Sequence, residues 1–264
     1  VILMKKPYIV FFDVDGTIYD PVRREVPAST IDALRQLSDR DDTLVAIATG
    51  RAFYMLDIIE AIKPYVDIYV TINGQLVYEH GQVIHDEPMP EEDVRTFRRR
   101  FLEHGFNFGY IGKHEQAIQS LDDYAKRMFD SQSLPRPIEA PEYPKHHSVY
   151  QMWAFADEKA IETFDPHHGE YEVVPWNHDG FDLVHFDRHK GGGVRRVMDH
   201  CGIPLENAWC FGDGHNDVPM FKSLRNTVAM GNAEEALKQT AHSVTSACGE
   251  DGIARALRRL NFIK

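Results

Sequence analysis

The chain has 264 residues, of which 43% are hydrophobic and 27% are charged, and its formal net charge is −12. This composition is typical of a globular protein with a sizeable core. It argues against a nucleic-acid-binding protein, which would carry a basic excess or a basic stripe, and no apolar run approaches the roughly 18–20 residues that span a bilayer.

The first part of the chain alternates strands with helices. Alternation of this kind predicts βαβ units with right-handed crossovers and a mostly parallel sheet. Ser29 is a plausible N-cap for the first helix. The predicted elements are strands over 8–12, 44–48 and 68–72 and helices over 29–40 and 52–62.

The pattern changes in the middle of the chain and then returns. Amphipathic helices over 91–104, 121–129 and 157–164 are separated by short strands over 107–110, 116–119, 150–155, 171–175 and 181–186. Alternation then resumes, with helices over 191–201, 218–223, 233–240 and 252–260 and strands over 208–211 and 227–230. We therefore expect an α/β fold in which a doubly wound, mostly parallel core, residues 1–82 and 187–264, carries an inserted α+β cap domain, residues 83–186.

Acidic residues follow two of the predicted core strands. Asp13 closes the first strand and Asp15 lies two positions on, while Asp213 and Asp217 follow the strand over 208–211. Because the carboxyl ends of parallel strands meet at one edge of a sheet, these carboxylates would converge and repel one another without a hard cation. Taken alone, the first segment could also be an ordinary Asx turn.

Two further segments are suited to binding an anion. Thr49 and Gly50 open a helix, where a hydroxyl and free amide hydrogens form an anion site, although the same residues could be a simple helix cap. Lys190 precedes three glycines at another helix start, and its ammonium can act on a phosphate as a point charge. Asn216 crowds the turn between Asp213 and Asp217.

In chain order, these segments resemble the four motifs of the haloacid dehalogenase-like hydrolase superfamily, and more narrowly its Cof-type branch with a C2-type α+β cap. The residues that carry the resemblance are Asp13-Val14-Asp15-Gly16-Thr17, Thr49-Gly50-Arg51, Lys190-Gly191 and Gly212-Asp213-Gly214-His215-Asn216-Asp217. Further similar segments are Ile72-Asn73-Gly74 and residues 228–233 and 250–253.

The resemblance implies a phosphatase that works through an aspartyl-phosphate intermediate. Asp13 would attack the phosphorus, and Asp15 would protonate the leaving alcohol and then activate water. Asp13, the backbone carbonyl of Asp15 and Asp213 would bind Mg²⁺. The remaining implied roles are phosphate binding by Thr49, Gly50, Lys190 and Asn216 and support of Lys190, or of metal-bound water, by Asp217.

We therefore expect a cytoplasmic, Mg²⁺-dependent phosphatase that acts on small phosphorylated metabolites, sugar phosphates among them. Three cysteines without metal-ligand spacing and a first segment too short for a signal peptide favour the cytoplasm. A phosphomutase on the same scaffold and a non-catalytic phospho-ligand-binding protein are the alternatives. The sequence predicts neither the individual substrate nor the oligomeric state.

Histidines and a turn in the cap are secondary candidates. Fourteen histidines invite a zinc hypothesis, but no zinc-binding spacing occurs. We expect the pairs His146-His147 and His167-His168 in loops and His215 without a catalytic role. The turn Trp176-Asn177-His178-Asp179 is expected to place part of its surface against the substrate.

Overall fold

The computed structural model describes residues 6–131, 134–165, 170–176, 179–186 and 188–264. The chain divides into two compact units. Unit 1 comprises Val1–Arg51, Leu56–His85 and His189–Lys264, and unit 2 comprises Ala52–Met55 and Asp86–Arg188. The assignment of a core role and a cap role to the two parts of the chain stays a prediction. None of the helices in the described part of the chain has the length and hydropathy needed to cross a membrane.

Unit 1 is built on an eight-stranded sheet that is mostly parallel, which confirms the predicted α/β fold class. Its strands are β1 (Tyr8–Phe12), β2 (Thr43–Ala48), β3 (Ile68–Thr71), β4 (Leu76–Glu79), β5 (Gln82–Asp86), β12 (Ala208–Gly212), β13 (Asn226–Ala229) and β14 (Ser243–Val244). Their order in the sheet is β14-β13-β12-β1-β2-β3-β4-β5. Strand β1 is central, and its residues from Ile9 to Phe12 are fully buried, as its continuous apolar sequence requires.

The α-helices of unit 1 lie between these strands in the chain, except for the last, which follows β14. They are α1 (Ala28–Ser38), α5 (Lys190–Cys201), α6 (Val218–Ser223), α7 (Glu235–Thr240) and α8 (Gly252–Arg259). The α-helix predicted over 52–62 is instead a 3₁₀ segment, Phe53–Tyr65, because Leu56 and Ile59 leave helical backbone angles. The prediction that Ser29 is the N-cap of α1 was wrong. The N-cap is Pro27, and no side chain forms a capping hydrogen bond.

Unit 2 is an α+β module. Its strands β6 (Asn107–Ile111), β7 (Gln116–Ile118), β8 (Ile138–Glu139), β9 (Gln151–Phe155), β10 (Tyr171–Pro175) and β11 (Gly180–His185) form a sheet in the order β10-β11-β9-β6-β7-β8. Its helices are α2 (Glu91–Glu103), α3 (Asp123–Ser131) and α4 (Glu158–Thr163). Phe97 and Phe101 of α2 pack with Phe108 and Phe181 of the sheet in a buried aromatic core. Unit 2 therefore has a core of its own.

Candidate active site

Two neighbouring strands bring the acidic segments together. Strands β1 and β12 are parallel neighbours, and Phe12 pairs with Phe211. The amide of Asp13 extends this ladder by donating to the carbonyl of Phe211 at 3.0 Å. Asp13 and Asp213 therefore leave the sheet at the same edge, although they lie 200 positions apart in the sequence.

Gly16 allows the first turn to approach Asp213. Its φ is +75°, a left-handed conformation that glycine adopts without the steric cost of a side chain. A Cβ at this position would lie 2.0 Å from the carboxylate Oδ2 of Asp213. Both the backbone angle and the available space therefore require glycine here.

Lys190 is the buried cation of the site. It is the first residue of α5, whose N-cap is His189, and His189 Nδ1 accepts a hydrogen bond from the amide of Gly192 at 3.1 Å. The ammonium of Lys190 donates to Asp13 Oδ1 at 2.5 Å and to Asp217 Oδ1 at 2.8 Å. The Lys190 side chain is fully buried, so one ammonium neutralises part of the charge of two buried carboxylates.

Asp217 links Lys190 to the loop after β12. Its second oxygen, Oδ2, accepts from the backbone amides of Asp213 at 2.9 Å and Gly214 at 3.1 Å. The hydrogen bonds that the structure describes for this carboxylate therefore all go to Lys190 or to the backbone of the loop. The supporting role of Asp217 in catalysis stays a prediction.

The electrostatics of the site favour a further cation. Burial and the neighbouring Asp217 raise the pKa of Asp13 well above its ordinary value, although Lys190 opposes the shift. Burial and Asp217 also raise the pKa of Asp213 to about 7. For Lys190, burial alone would lower the pKa, but the carboxylates of Asp13 and Asp217 outweigh it and raise that pKa. Negative charge is thus in excess over the single ammonium.

The donor set fits a hard divalent cation. Asp13, Asp213 and Asp217 each present an oxygen within 4.8 Å of the others, and carboxylate oxygen is the ligand type that Mg²⁺ takes in proteins. Since Asp217 already bonds to Lys190 and two amides, Asp13 and Asp213 are the side chains best placed to hold the ion. The part that the backbone carbonyl of Asp15 plays stays a prediction.

Asp15 is held by Arg51, a residue without a predicted role. Arg51 donates through Nε to Asp15 Oδ2 at 2.7 Å and through Nη2 to Asp15 Oδ1 at 2.8 Å. This two-pronged ion pair occupies both carboxylate oxygens, and the Arg51 side chain is only 17% exposed. A cation directly after Thr49-Gly50 was the sequence signal that could have pointed to Arg51.

Thr49, Gly50 and Asn216, three of the predicted phosphate-binding residues, follow strands of the eight-stranded sheet. Thr49 comes directly after β2 and is buried, and its Oγ1 accepts from the amide of Arg51 at 3.1 Å, which leaves the hydroxyl hydrogen for an acceptor. A Cβ on Gly50 would lie 3.2 Å from Asn73 Oδ1, so the loop is tightly packed there. Asn216 is exposed on the loop after β12. Their contact with phosphate stays a prediction.

Asn232 also belongs to the site, although only the resemblance of its segment, residues 228–233, pointed to it in the sequence. Its Nδ2 donates to the carbonyl of Gly16 at 2.8 Å and to Asp213 Oδ2 at 3.2 Å. Two other candidates, Asn177 and His178 in the predicted cap turn, lie outside the described residues, as do His167 and His168.

Comparison with known proteins identifies one family. The family model of haloacid dehalogenase-like hydrolases matches residues 10–257. The putative phosphatase YkrA of Bacillus subtilis is 30% identical, and the match covers 97% of this chain and 98% of that protein. A putative bifunctional phosphatase/peptidyl-prolyl cis-trans isomerase of Streptococcus pyogenes is 31% identical over 98% of this chain, which spans only 55% of that longer protein.

A solved structure agrees with this result. The structure of BT4131, described as a sugar phosphatase of HAD subclass IIB, is similar with a TM-score of 0.86 and 28% identity. The match covers 97% of this chain and 100% of that one. The likeness therefore includes the inserted unit 2 as well as the segments that form the site.

Proposed function

Because the chain belongs to the haloacid dehalogenase-like hydrolases and is a phosphomonoesterase of that family, we propose that it hydrolyses small phosphorylated metabolites. In this proposal the reaction passes through an aspartyl-phosphate on Asp13, and Mg²⁺ is the cofactor. The observation that carries the proposal is the buried Lys190 ammonium between Asp13 and Asp217. Lys190 holds the carboxylate of Asp13, the nucleophile in this proposal, beside a positive charge. Thr49, a proposed phosphate-binding residue, follows β2, the parallel neighbour of β1.

The first step transfers the phosphoryl group to the enzyme. A bond forms between a carboxylate oxygen of Asp13 and phosphorus, the bond from phosphorus to the ester oxygen breaks, and Asp15 gives a proton to the departing oxygen. The carboxylate and the phosphate repel each other by about 4 kcal/mol at 4 Å and an effective dielectric near 20. Lys190 offsets part of this repulsion, and a bound Mg²⁺ held by Asp13 and Asp213 would supply further positive charge.

The second step returns the enzyme to its starting state. Water attacks phosphorus, Asp15 accepts a proton from it, and the bond between phosphorus and Asp13 breaks to release inorganic phosphate. Arg51 donates one hydrogen bond to each oxygen of Asp15. Since each carboxylate oxygen has a second lone pair, Asp15 can exchange a proton there while Arg51 holds the carboxylate in place.

Sugar phosphates are the substrate class we propose to test first, because the related structure BT4131 is described as a sugar phosphatase. We assign the choice of leaving group to the inserted cap, residues 83–186, whose sequence lacks the catalytic motifs. We also propose a cytoplasmic location, which is supported by the small number of cysteines in the sequence, three in 264 residues.

Hydrolysis of p-nitrophenyl phosphate, measured with and without EDTA, tests the mechanism. Activity should be lost on chelation and return with Mg²⁺, and Asp13→Asn should abolish it because an amide is a poor nucleophile. Asp32→Asn, at an exposed ion pair with Arg35 on α1, is the matched control and should leave the rate unchanged. Activity that survived full chelation, or survived Asp13→Asn, would refute the mechanism.

A panel of sugar phosphates, nucleotides and cofactor phosphates then tests the substrate class. Release of inorganic phosphate identifies a phosphatase. Isomerisation of a sugar phosphate without phosphate release, dependent on a bisphosphate activator, would identify a phosphomutase instead. No turnover of any ester would indicate a phospho-ligand-binding protein.

A further inference from the structure

We propose that Asn232 is a positioning residue that holds the carboxylate of Asp213 in place for the divalent cation. This inference rests on the proposed Mg²⁺ site and adds a residue that contacts neither the reacting atoms nor the ion in that proposal. It is carried by three hydrogen bonds of one side chain, which join three separate loops.

Each of the three bonds reaches a different segment. Asn232 Nδ2 donates to the carbonyl of Gly16 at 2.8 Å and to Asp213 Oδ2 at 3.2 Å. Asn232 Oδ1 accepts from the backbone amide of Cys248 at 2.8 Å. The side chain therefore ties the turn after β1 to the loop after β12 and anchors both to the segment before α8.

Asp213 has few other fixed contacts. Its Oδ1 accepts from the Thr17 hydroxyl at 3.4 Å, a long hydrogen bond. Its Oδ2 faces Gly16, which has no side chain to hold it. The amide of Asn232 is therefore the stronger of the two side-chain donors that the structure describes on Asp213. Residues that orient a metal-binding carboxylate in this way affect metal affinity about 10–100-fold when they are removed.

The local backbone reinforces this arrangement. The amide of Glu234 donates to the carbonyl of Asp213 at 2.9 Å, and the amide of Met230 donates to the carbonyl of Gly212 at 3.0 Å. The segment that carries Asn232 thus runs beside the Asp213 loop and is held there by its own main chain. Truncating the side chain removes the link to the carboxylate without removing these backbone bonds.

Strand β13 offers a matched control. Asn226, at the start of that strand, also uses its side chain to bond backbone groups: Nδ2 donates to the carbonyl of Glu206 at 2.9 Å and of Ala208 at 3.0 Å. Asn226→Ala removes the same chemical group at the opposite end of the strand from the site. It should change thermal stability without changing metal affinity.

The experiment measures Mg²⁺ binding to the whole chain by titration calorimetry and by the Mg²⁺ dependence of the melting temperature. We expect Asn232→Ala to raise the Kd for Mg²⁺ at least about tenfold, Asn232→Ser to give a smaller increase because a hydroxyl can replace one donor, and Asn226→Ala to stay within about twofold of the unchanged chain. Because Asn232 is exposed, truncation leaves no buried cavity, and the serine variant provides a second folded sample.

The outcomes separate this inference from the proposed function. A Kd for Asn232→Ala within about twofold of the unchanged chain, or an equal loss in Asn226→Ala, would overturn the role of Asn232 while leaving the Mg²⁺ site intact. If the unchanged chain itself bound no Mg²⁺, the proposed cofactor would fall, and the positioning role with it.

Discussion

Replacing Lys190 by methionine tests whether its ammonium stabilises the buried carboxylates of the site. Methionine has a similar length and no charge, so the substitution removes the ammonium with little change in packing. Two buried carboxylates, Asp13 and Asp217, then lose their common hydrogen-bond donor. We expect the variant to be inactive. We also expect it to lose much more stability than a variant that lacks an exposed charge.

The size of the effect follows from the geometry. Unit charges separated by the observed 2.5 and 2.8 Å attract each other by about 6–7 kcal/mol per pair at an effective dielectric near 20. Burying the ammonium costs a large part of that gain, and removing one partner of a buried ion pair destabilises proteins by about 3–5 kcal/mol. At about 2–4 °C per kcal/mol for a chain of this size, the melting temperature should fall by about 6–20 °C.

The sign of the pH dependence gives a second signature. Burial and Asp217 already raise the pKa of Asp13, and losing Lys190 raises it further. The folded variant then binds more protons than the unfolded chain. The contribution of Asp13 to the free energy of unfolding is therefore largest below the ordinary aspartate pKa and falls as the pH rises. The difference in melting temperature between the two proteins should therefore be larger at pH 8 than at pH 5.

Lys63 provides the control for this measurement. It also bridges two carboxylates, Asp57 at 3.0 Å and Glu60 at 2.6 Å, but those carboxylates are 87% and 72% exposed. Lys63→Met should cost no more than about 1 kcal/mol. Thermal unfolding of both variants is measured in EDTA. An equal fall in melting temperature would contradict a stabilising role of the buried Lys190 that surface lysines do not share.

Three further predictions concern the same sheet edge. Gly16→Ala should weaken Mg²⁺ binding at least about tenfold because its Cβ displaces Asp213. Gly81→Ala, which has a similar φ of +79° and nothing within 4 Å, should pay the same backbone cost and leave the Kd unchanged. Burial raises the pKa of Asp213 to about 7 in the metal-free protein, so Mg²⁺ binding at pH 6 should release protons and be weaker than at pH 8. Calorimetry in buffers of different ionisation enthalpy measures both effects. Equal Kd values at the two pH values would contradict this prediction. Arg51→Met should lower kcat for an alkyl phosphate at least about tenfold more than for p-nitrophenyl phosphate, because only the alkoxide needs a proton from Asp15; equal losses would contradict an orienting role.

The elements that position the site were largely predictable because they are strongly patterned. Strand β1 is an unbroken apolar run that a central parallel strand requires, and it was predicted with its observed bounds. The hairpin strands β4 and β5 were missed, since β5 lies at the sheet edge and mixes exposed and half-buried residues, so its sequence lacks a clear alternation. Helix starts were less predictable: Ser29 offers a capping side chain, yet the helix begins one residue earlier, after Pro27.

Within the site, the residues that follow strand ends were predictable, and their partners were not. A carboxylate at the end of a parallel strand is brought to the sheet edge by the topology alone, so Asp13 and Asp213 required only correct strand assignment. The partners of Asp15 and Asp213, Arg51 and Asn232, depend on how separate loops meet at that edge, which local pattern does not encode. Arg51 and Asn232 both lie in segments that resemble the family. The resemblance located both residues. Only the side-chain geometry shows that Arg51 holds Asp15, the proposed acid, and that Asn232 holds Asp213, the proposed metal ligand.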